Sequence, residues 1–222
     1  MAAKLYTYWR SSAAYRVRIA LNLKGVGYES VAVSLRPGDD EQRKDDYRAI
    51  NPQMLVPFFD DGKVAIGQSM AILEYLEEAW PDTPLLPGSE PLRSRVRAFC
   101  NMIACDIHPL NNLRVLKYLS DEFDVSGKQK SDWYAYWIAE GFRACEELSV
   151  RHAHDGPYAF GKDVTLADAM LVPQMYNARR FDVPLDEFPR LVAVTDACNE
   201  LQAFIDAAPE DQPDCPQARI LL

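Results

Sequence analysis

An α/β domain of order β-α-β-α-β-β-α, followed by an all-α domain, is the fold class that the sequence predicts, and three observations carry it. Four runs read as strands, at Lys4 to Trp9, Tyr28 to Leu35, Leu55 to Asp60 and Lys63 to Gly67, all in the first third of the chain. Four prolines fall within the eleven residues from Pro81 to Pro91. Beyond them apolar residues recur at helical spacing only. The expected organisation is a first domain over 1–82, a linker over 83–91, a helical domain over 92–213 and a frayed tail over 214–222, Pro- and Asp-rich from Pro209.

Each element has its own signal. Lys4 to Trp9 alternates and reads as a strand. Arg10-Ser11-Ser12 breaks it, and either serine suits a helix N-cap. Val17, Ala20 and Leu21 follow at helical spacing, and Gly25 supplies a stop. Tyr28 to Leu35 is a second strand, so the first three elements imply a parallel pair with a crossover. A charged loop over Arg36 to Asp46 leads to a short helix at Asp45 to Ile50. Leu55 to Asp60 and Lys63 to Gly67 flank Asp61-Gly62, a hairpin signal. Ser69 is expected to cap a helix from Met70 to Trp80. Further helices are expected at Leu92 to Ser120, Lys128 to Arg151, Leu166 to Phe181 and Phe188 to Ala208. Thr165 to Asp168 resembles a capping box with Asp in place of Glu or Gln, a structural feature.

Composition removes several function classes. The chain has 222 residues and a net charge of −9, so a basic nucleic-acid face is not expected. Nothing approaches the ~18 apolar residues of a membrane span, and MAAKLYTYWR is no secretion signal. The five cysteines are scattered, which fits reduced thiols in a cytoplasmic protein and no disulfide framework or zinc site. His152 and His154 read as a surface loop; no metal is expected.

Three places can hold a ligand. Ser11 and Ser12 stand where a strand ends and a helix begins, so they are either a plain cap or a holder of a thiolate or carboxylate. Asn51-Pro52-Gln53-Met54-Leu55-Val56-Pro57 is either a proline-led turn or an edge whose Val56 backbone pairs with a peptide; its Val56-Pro57 bond is expected to be cis. Gln68-Ser69 opens a helix and forms a candidate anion nest.

Taken in order, these motifs resemble the glutathione transferases. Residues 8–22 (Tyr-Trp-Arg-Ser-Ser-Ala-Ala-Tyr-Arg-Val-Arg-Ile-Ala-Leu-Asn), 105–114 (Cys-Asp-Ile-His-Pro-Leu-Asn-Asn-Leu-Arg) and 171–181 (Leu-Val-Pro-Gln-Met-Tyr-Asn-Ala-Arg-Arg-Phe) resemble the zeta class in particular. The resemblance spans residues 4 to about 213. It implies a thioredoxin-like domain plus a helical domain, a homodimer, and glutathione as cofactor. It also implies that Ser11 and Ser12 face the glutathione sulfur, Val56 before Pro57 pairs with the cysteinyl backbone, Gln68 and Ser69 hold the γ-glutamyl end with help from Gln53, and His108 and Asn112 close the site from the helical domain. One departure stands out: many zeta-class members read Ser-Ser-Cys-Ser, whereas this chain has Ala13 and Ala14. No protein thiol is therefore expected beside glutathione.

The implied reaction is a cis–trans isomerisation of a small unsaturated diacid by reversible thiolate addition, with maleylacetoacetate favoured and maleylpyruvate as the alternative. A transferase or dehalogenase, or a non-catalytic glutathione-binding protein, are the rivals. Lowering a thiol from about 8.5 to about 7 takes roughly 2 kcal/mol. A helix N-terminus offers about 0.3–1 and a hydrogen bond to a charged group about 1.5–3, so one serine hydroxyl is required. Either serine can supply it. Arg10, Arg180, Arg114 and Arg179 are the candidates for the diacid carboxylates, because a guanidinium grips a carboxylate two-pronged. His108, with Asp106 and Asn111 nearby, either serves the site or satisfies a helix kink at Pro109.

Overall fold

Alternation buries Ala3, Leu5 and Thr7 of the first strand, and that strand is paired on both edges inside the sheet of the N-terminal unit. The computed structural model describes residues 2–152 and 156–216. The chain forms two units: Met1–Leu85 together with the chain from Asn199 onward, and Leu86–Cys198.

In the first unit the elements are β1 (Ala3–Thr7), α1 (Ser12–Leu23), β2 (Tyr28–Ala32), α2 (Asp45–Ile50), β3 (Phe58–Asp60), β4 (Ala65–Gly67) and α3 (Ser69–Ala79). The sheet order is β2-β1-β3-β4, parallel between β1 and β2 and antiparallel elsewhere. This is the expected thioredoxin-like order. α1 is buried from Ser12 through Leu21, with no polar stripe, because it packs against both α3 and the chain's C-terminal part.

Several boundaries moved for identifiable reasons. The first strand stops at Thr7 because the N–H of Ser11 bonds the carbonyl of Tyr8 at 2.9 Å and closes a turn. The second strand ends at Ala32, although the Val33 N–H still reaches the carbonyl of Thr7 at 2.7 Å. The hairpin loop runs over Asp61 to Val64, not two residues. Asp61 Oδ1 accepts the N–H groups of Lys63 and Val64, and Gly62 sits at φ 83°. Ser69 does not cap α3; Gln68 occupies the cap position and Ser69 is the first helical residue.

In the second unit, α4 (Glu90–Asn101) passes into a wider π-helical stretch (Met102–Ile107) and a 3-10 turn (His108–Asn111), before α5 (Leu113–Phe123) begins. The single helix expected over Leu92 to Ser120 is broken there. Pro109 lacks the N–H needed to continue the ladder, and Asn112 restarts the helix by accepting the N–H of Arg114 at 3.1 Å. α6 (Gly127–Arg151) opens on a capping box of Ser126 and Gln129. α7 (Leu166–Arg180) opens on the expected box of Thr165 and Asp168. Asp168 is fully buried and accepts the N–H groups of Ala159 and Thr165, both at 2.8 Å, while burial pushes its carboxyl above the usual range.

The last expected helix divides into α8 (Pro189–Asn199) and α9 (Gln202–Ile205), because Leu201 is extended at φ −85°, ψ 130°. α9 packs on α1, so the chain from Asn199 belongs to the first unit rather than to a helical domain running to 213. Nor does the described tail fray. Pro209–Asp211 forms a turn, Gln212 and Cys215 are buried, and only residues 217–222 of that expectation lie outside the described residues. The linker is likewise tied down. Lys24 Nζ donates to the carbonyls of Trp80 (2.9 Å) and Thr83 (2.8 Å) and pairs with Glu77 at 2.7 Å.

Gly141 on α6 lies against Ile107 of the π-helical stretch so closely that a Cβ would overlap the Ile107 side chain. Gly141→Ala should therefore destabilise the fold by about 1–3 kcal/mol through overpacking, read as a lower midpoint in thermal unfolding. Gly127→Ala, which meets open space, serves as the control.

Candidate active site

Three loops of the first unit carry the candidate residues, and each is built by local hydrogen bonds. At the end of β1, Ser11 is the N-cap of α1, its Oγ accepting the Ala14 N–H at 3.2 Å. As an acceptor there, the Ser11 hydroxyl keeps its proton to donate. Ser12 is the first helical residue and is buried. The first-turn N–H groups of α1 have no carbonyl of their own helix to bond.

The second loop is Asn51 to Pro57. Asn51 is buried; its Oδ1 accepts the Gln53 N–H at 3.1 Å and its Nδ2 donates to the carbonyl of Leu55 at 2.8 Å. Tyr47 Oη donates to that same carbonyl at 2.7 Å. Val56-Pro57 is cis, as expected. The β1 ladder pairs only from Phe58, which leaves Val56 two residues outside it.

The third is the start of α3. Gln68 sits at φ 69°, ψ 110°, a conformation that costs a non-glycine residue about 1–3 kcal/mol. Its Nε2 donates to Gln53 Oε1 at 2.8 Å, joining the second loop to the third. The buried hydroxyl of Ser69 accepts from Arg16 Nη1 at 3.3 Å, which leaves its own proton to donate. Together these loops present hydroxyl donors, helix N-terminal N–H groups, two amides and a stretch of backbone beside β3. That donor set fits an extended peptide with a thiol and an anionic end.

In the second unit the structure separates two neighbouring arginines. Arg179 is committed to Asp196 at 2.8 Å. Arg180 lies over the Phe181 ring at 4.6 Å, and that ring stacks on Tyr134 at 3.7 Å. The carbonyl of Tyr134 accepts from Asn111 Nδ2 at 3.3 Å. Within this unit the segment carrying His108 and Asn112 and the end of α7 carrying Arg180 are thus linked through Tyr134. Asn112 is itself the cap of α5, and Arg114 is exposed on the first turn of that helix. Arg10, in the first unit, lies over the Trp9 ring at 5.1 Å. His152 stacks on Phe160, whereas His154 of the expected surface loop lies outside the described residues. Cys145 is buried and pushed up to about 12, and burial also pushes up Cys198, so both thiols stay protonated.

Sequence reasoning missed Arg18, Arg16 and Asp214. Arg18 is fully buried. It donates from Nε to the carbonyl of Ala207 (3.0 Å), from Nη1 to Thr7 Oγ1 (3.1 Å) and to the carbonyl of Tyr8 (3.5 Å), and from Nη2 to the carbonyl of Trp9 (3.0 Å). Burial lowers its pKa to about 10, so it remains a cation at neutral pH. Asp214 Oδ2 accepts the Trp9 N–H at 2.8 Å. The available signal was the pattern itself: two arginines two apart in an otherwise small and apolar helix leave no wholly solvent-facing stripe for both.

Comparison with known proteins places these features in a family. Residues 5–84 match the family model for the glutathione S-transferase N-terminal domain. A maleylpyruvate isomerase of Ralstonia sp. is 49% identical over 211 residues, 95% of this chain and 99% of the relative. A maleylacetoacetate isomerase of Pseudomonas aeruginosa is 45% identical over 218 residues, 97% of this chain and 100% of the relative. Among solved structures, a holo maleylpyruvate isomerase described as a bacterial zeta-class glutathione S-transferase superposes with a TM-score of 0.92 at 49% identity, covering 95% of this chain and 99% of that one. A maleylacetoacetate isomerase of Anaeromyxobacter dehalogenans, with dicarboxyethyl glutathione and citrate in its active site, superposes with a TM-score of 0.84 at 40% identity, covering 97% and 94%.

Arg18→Met would leave the Ala207 and Trp9 carbonyls and the Thr7 hydroxyl without this donor, while the Tyr8 carbonyl keeps the Ser11 N–H; the cost is about 1–3 kcal/mol for each group that stays dry. A marked fall in the thermal midpoint is expected. Arg18→Lys should recover only part of it, because an ammonium cannot reproduce the planar fork of donors; full recovery by Lys would show that charge alone matters.

Proposed function

The chain belongs to the zeta class of the glutathione S-transferases, and from that premise we propose that it is a glutathione-dependent cis–trans isomerase of a small unsaturated diacid, with maleylacetoacetate as substrate. The observation that carries the reading is the joining of the Ser11-Ser12, Gln53 and Gln68-Ser69 loops around one sheet in a donor set that suits glutathione. Dicarboxyethyl glutathione in the A. dehalogenans relative supports the chemistry, since it joins a thiol carbon-to-sulfur to a four-carbon diacid. Maleylpyruvate is the second reading, favoured by the 49% identity to the Ralstonia enzyme.

Bound glutathione supplies the nucleophile: sulfur adds to one alkene carbon, the electron pair moves into the conjugated carbonyl, the new single bond rotates, and return of the pair expels the thiolate. Atoms and electrons balance without a redox partner. The protein's part is to keep sulfur anionic and to hold the diacid. Ser11 and Ser12 donate hydroxyl hydrogens to the thiolate beside the N–H groups of α1. Gln53, Gln68 and Ser69 take the γ-glutamyl end, and the Val56 backbone before Pro57 pairs with the cysteinyl backbone. His108 and Asn112 are further proposed glutathione-binding residues.

Arg10 and Arg180, with Arg114, are assigned to the substrate carboxylates and to the charge that develops on the carbonyl oxygen. Arg179 ranks last, because Asp196 already holds it. Among the described residues no helix is long and apolar enough to cross a membrane, and a cytoplasmic homodimer completes the proposal.

The deciding assay follows isomerisation of maleylacetoacetate and of maleylpyruvate, each with and without glutathione. Turnover that requires glutathione is expected, and turnover without it, or none on either diacid, refutes the reading. Arg180→Ala should raise KM for the diacid about 10- to 100-fold, the worth of a charged hydrogen bond, with KM for glutathione kept; equal losses in both would mean damage to the fold. Ser12→Ala should cut kcat/KM with little change in thermal midpoint. Ser11→Ala should cost both, since it also removes a cap worth about 1 kcal/mol.

A further inference from the structure

The chain from Asn199 returns to the first unit, and Asp214 meets the turn that carries the two serines. Gln212 Nε2 donates to the carbonyls of Asp206 and Ala208, both at 2.9 Å, and gives this strap a fixed shape. The Gln212 side chain belongs to a residue only 4% exposed. From the strap, Asp214 Oδ2 accepts the Trp9 N–H at 2.8 Å, across 205 positions of sequence. From the other side, Arg18 donates to the Trp9 carbonyl at 3.0 Å and at the same time to the strap's Ala207 carbonyl at 3.0 Å. Both backbone polar groups of Trp9 are therefore held by charged side chains, one on the strap and one bonded to it.

Trp9 is two residues before Ser11. The turn between them is closed by the Ser11 N–H on the Tyr8 carbonyl at 2.9 Å, and that carbonyl also receives Arg18 Nη1 at 3.5 Å. A turn this short has no slack. A displacement of the Trp9 peptide is passed on to Ser11 and to the first turn of α1. A shift of about 1 Å is enough to cost a catalytic hydrogen bond much of its worth.

We propose that Asp214 is a positioning residue for the thiolate subsite: the C-terminal strap holds the Trp9 peptide so that the serine hydroxyls and the α1 N-terminus meet the glutathione sulfur. The inference rests on the reading that Ser11 and Ser12 serve the thiol, and it adds a residue that lies outside every motif of the resemblance.

The test is the pKa of the bound glutathione thiol, read from ultraviolet thiolate absorbance against pH, together with the pH profile of kcat/KM. Asp214→Ala should raise that pKa by about one unit, with about a fivefold loss of kcat/KM at pH 7, as the thiolate fraction falls from about a half to about a tenth, and with glutathione affinity nearly kept. Asp214→Asn, which retains an oxygen acceptor for the Trp9 N–H, should return most of the shift. Gln212→Ala, which loosens the strap without touching Trp9, should move the pKa the same way by less, and it carries the decision if Asp214→Ala folds poorly. An unchanged thiol pKa in Asp214→Ala, or in Gln212→Ala where that variant decides, overturns the proposal, whatever the thermal midpoint does. The Ser11→Ala/Ser12→Ala pair separates the two readings: if it leaves the thiol pKa of wild type, the serine assignment fails, independently of the strap.

Discussion

A buried guanidinium governs the geometry of the first unit. Arg18 is wholly enclosed, and desertion by water is offset by a side-chain oxygen and three backbone carbonyls drawn from two distant parts of the chain. Removing such a cation from water costs several kcal/mol unless its hydrogens are matched, so the acceptors must converge on it. That requirement fixes how β1 ends, how α1 begins, and where the C-terminal strap lies. The Ser11-Ser12 turn, closed by its own bond from Ser11 to Tyr8, is held from behind by Arg18. Its rigidity is therefore available to chemistry without further devices.

The other candidate loops obey the same logic on a smaller scale. Asn51 bridges its own turn from Gln53 to Leu55, which holds the chain before Val56 in place. Gln68 carries a backbone conformation that nothing local favours, and its amide is joined to Gln53. Arg16 stands behind Ser69 much as Arg18 stands behind the serine turn, orienting a hydroxyl from within the protein. Buried polar groups in this unit thus stand behind the three candidate loops. That is where strain and unsatisfied donors have to be compensated if a site is to be preorganised.

The helical unit uses interruption rather than regularity. A continuous helix from Leu92 to Ser120 would have carried His108 and Asn112 on one rod. Pro109 and the π-helical stretch before it turn the chain, and Gly141 admits Ile107 against α6. Through Asn111, Tyr134 and Phe181 the interrupted segment is connected to the end of α7. There the adjacent arginines part: one goes to Asp196 and the other to an aromatic face. Charge type alone did not distinguish them, since their roles follow from which neighbours the helix end presents.

What the sequence determined by itself was local and periodic. The order of strands and helices in the first unit, a serine cap at the start of α1 and the Thr165-Asp168 box all follow from residue preferences within a few positions. Tertiary structure decided what depends on partners far away in the chain. It moved the cap of α3 from Ser69 to Gln68, divided the last helix at Leu201, and brought residues 199–216 back to the first unit. It also buried Arg16 and Arg18, to which sequence reasoning assigned no role. The physical reason is that a cap or a turn is satisfied by its own neighbours. A buried charge is satisfied only by acceptors that folding assembles, and Ala207 and Asp214 stand about two hundred residues from the turn they hold.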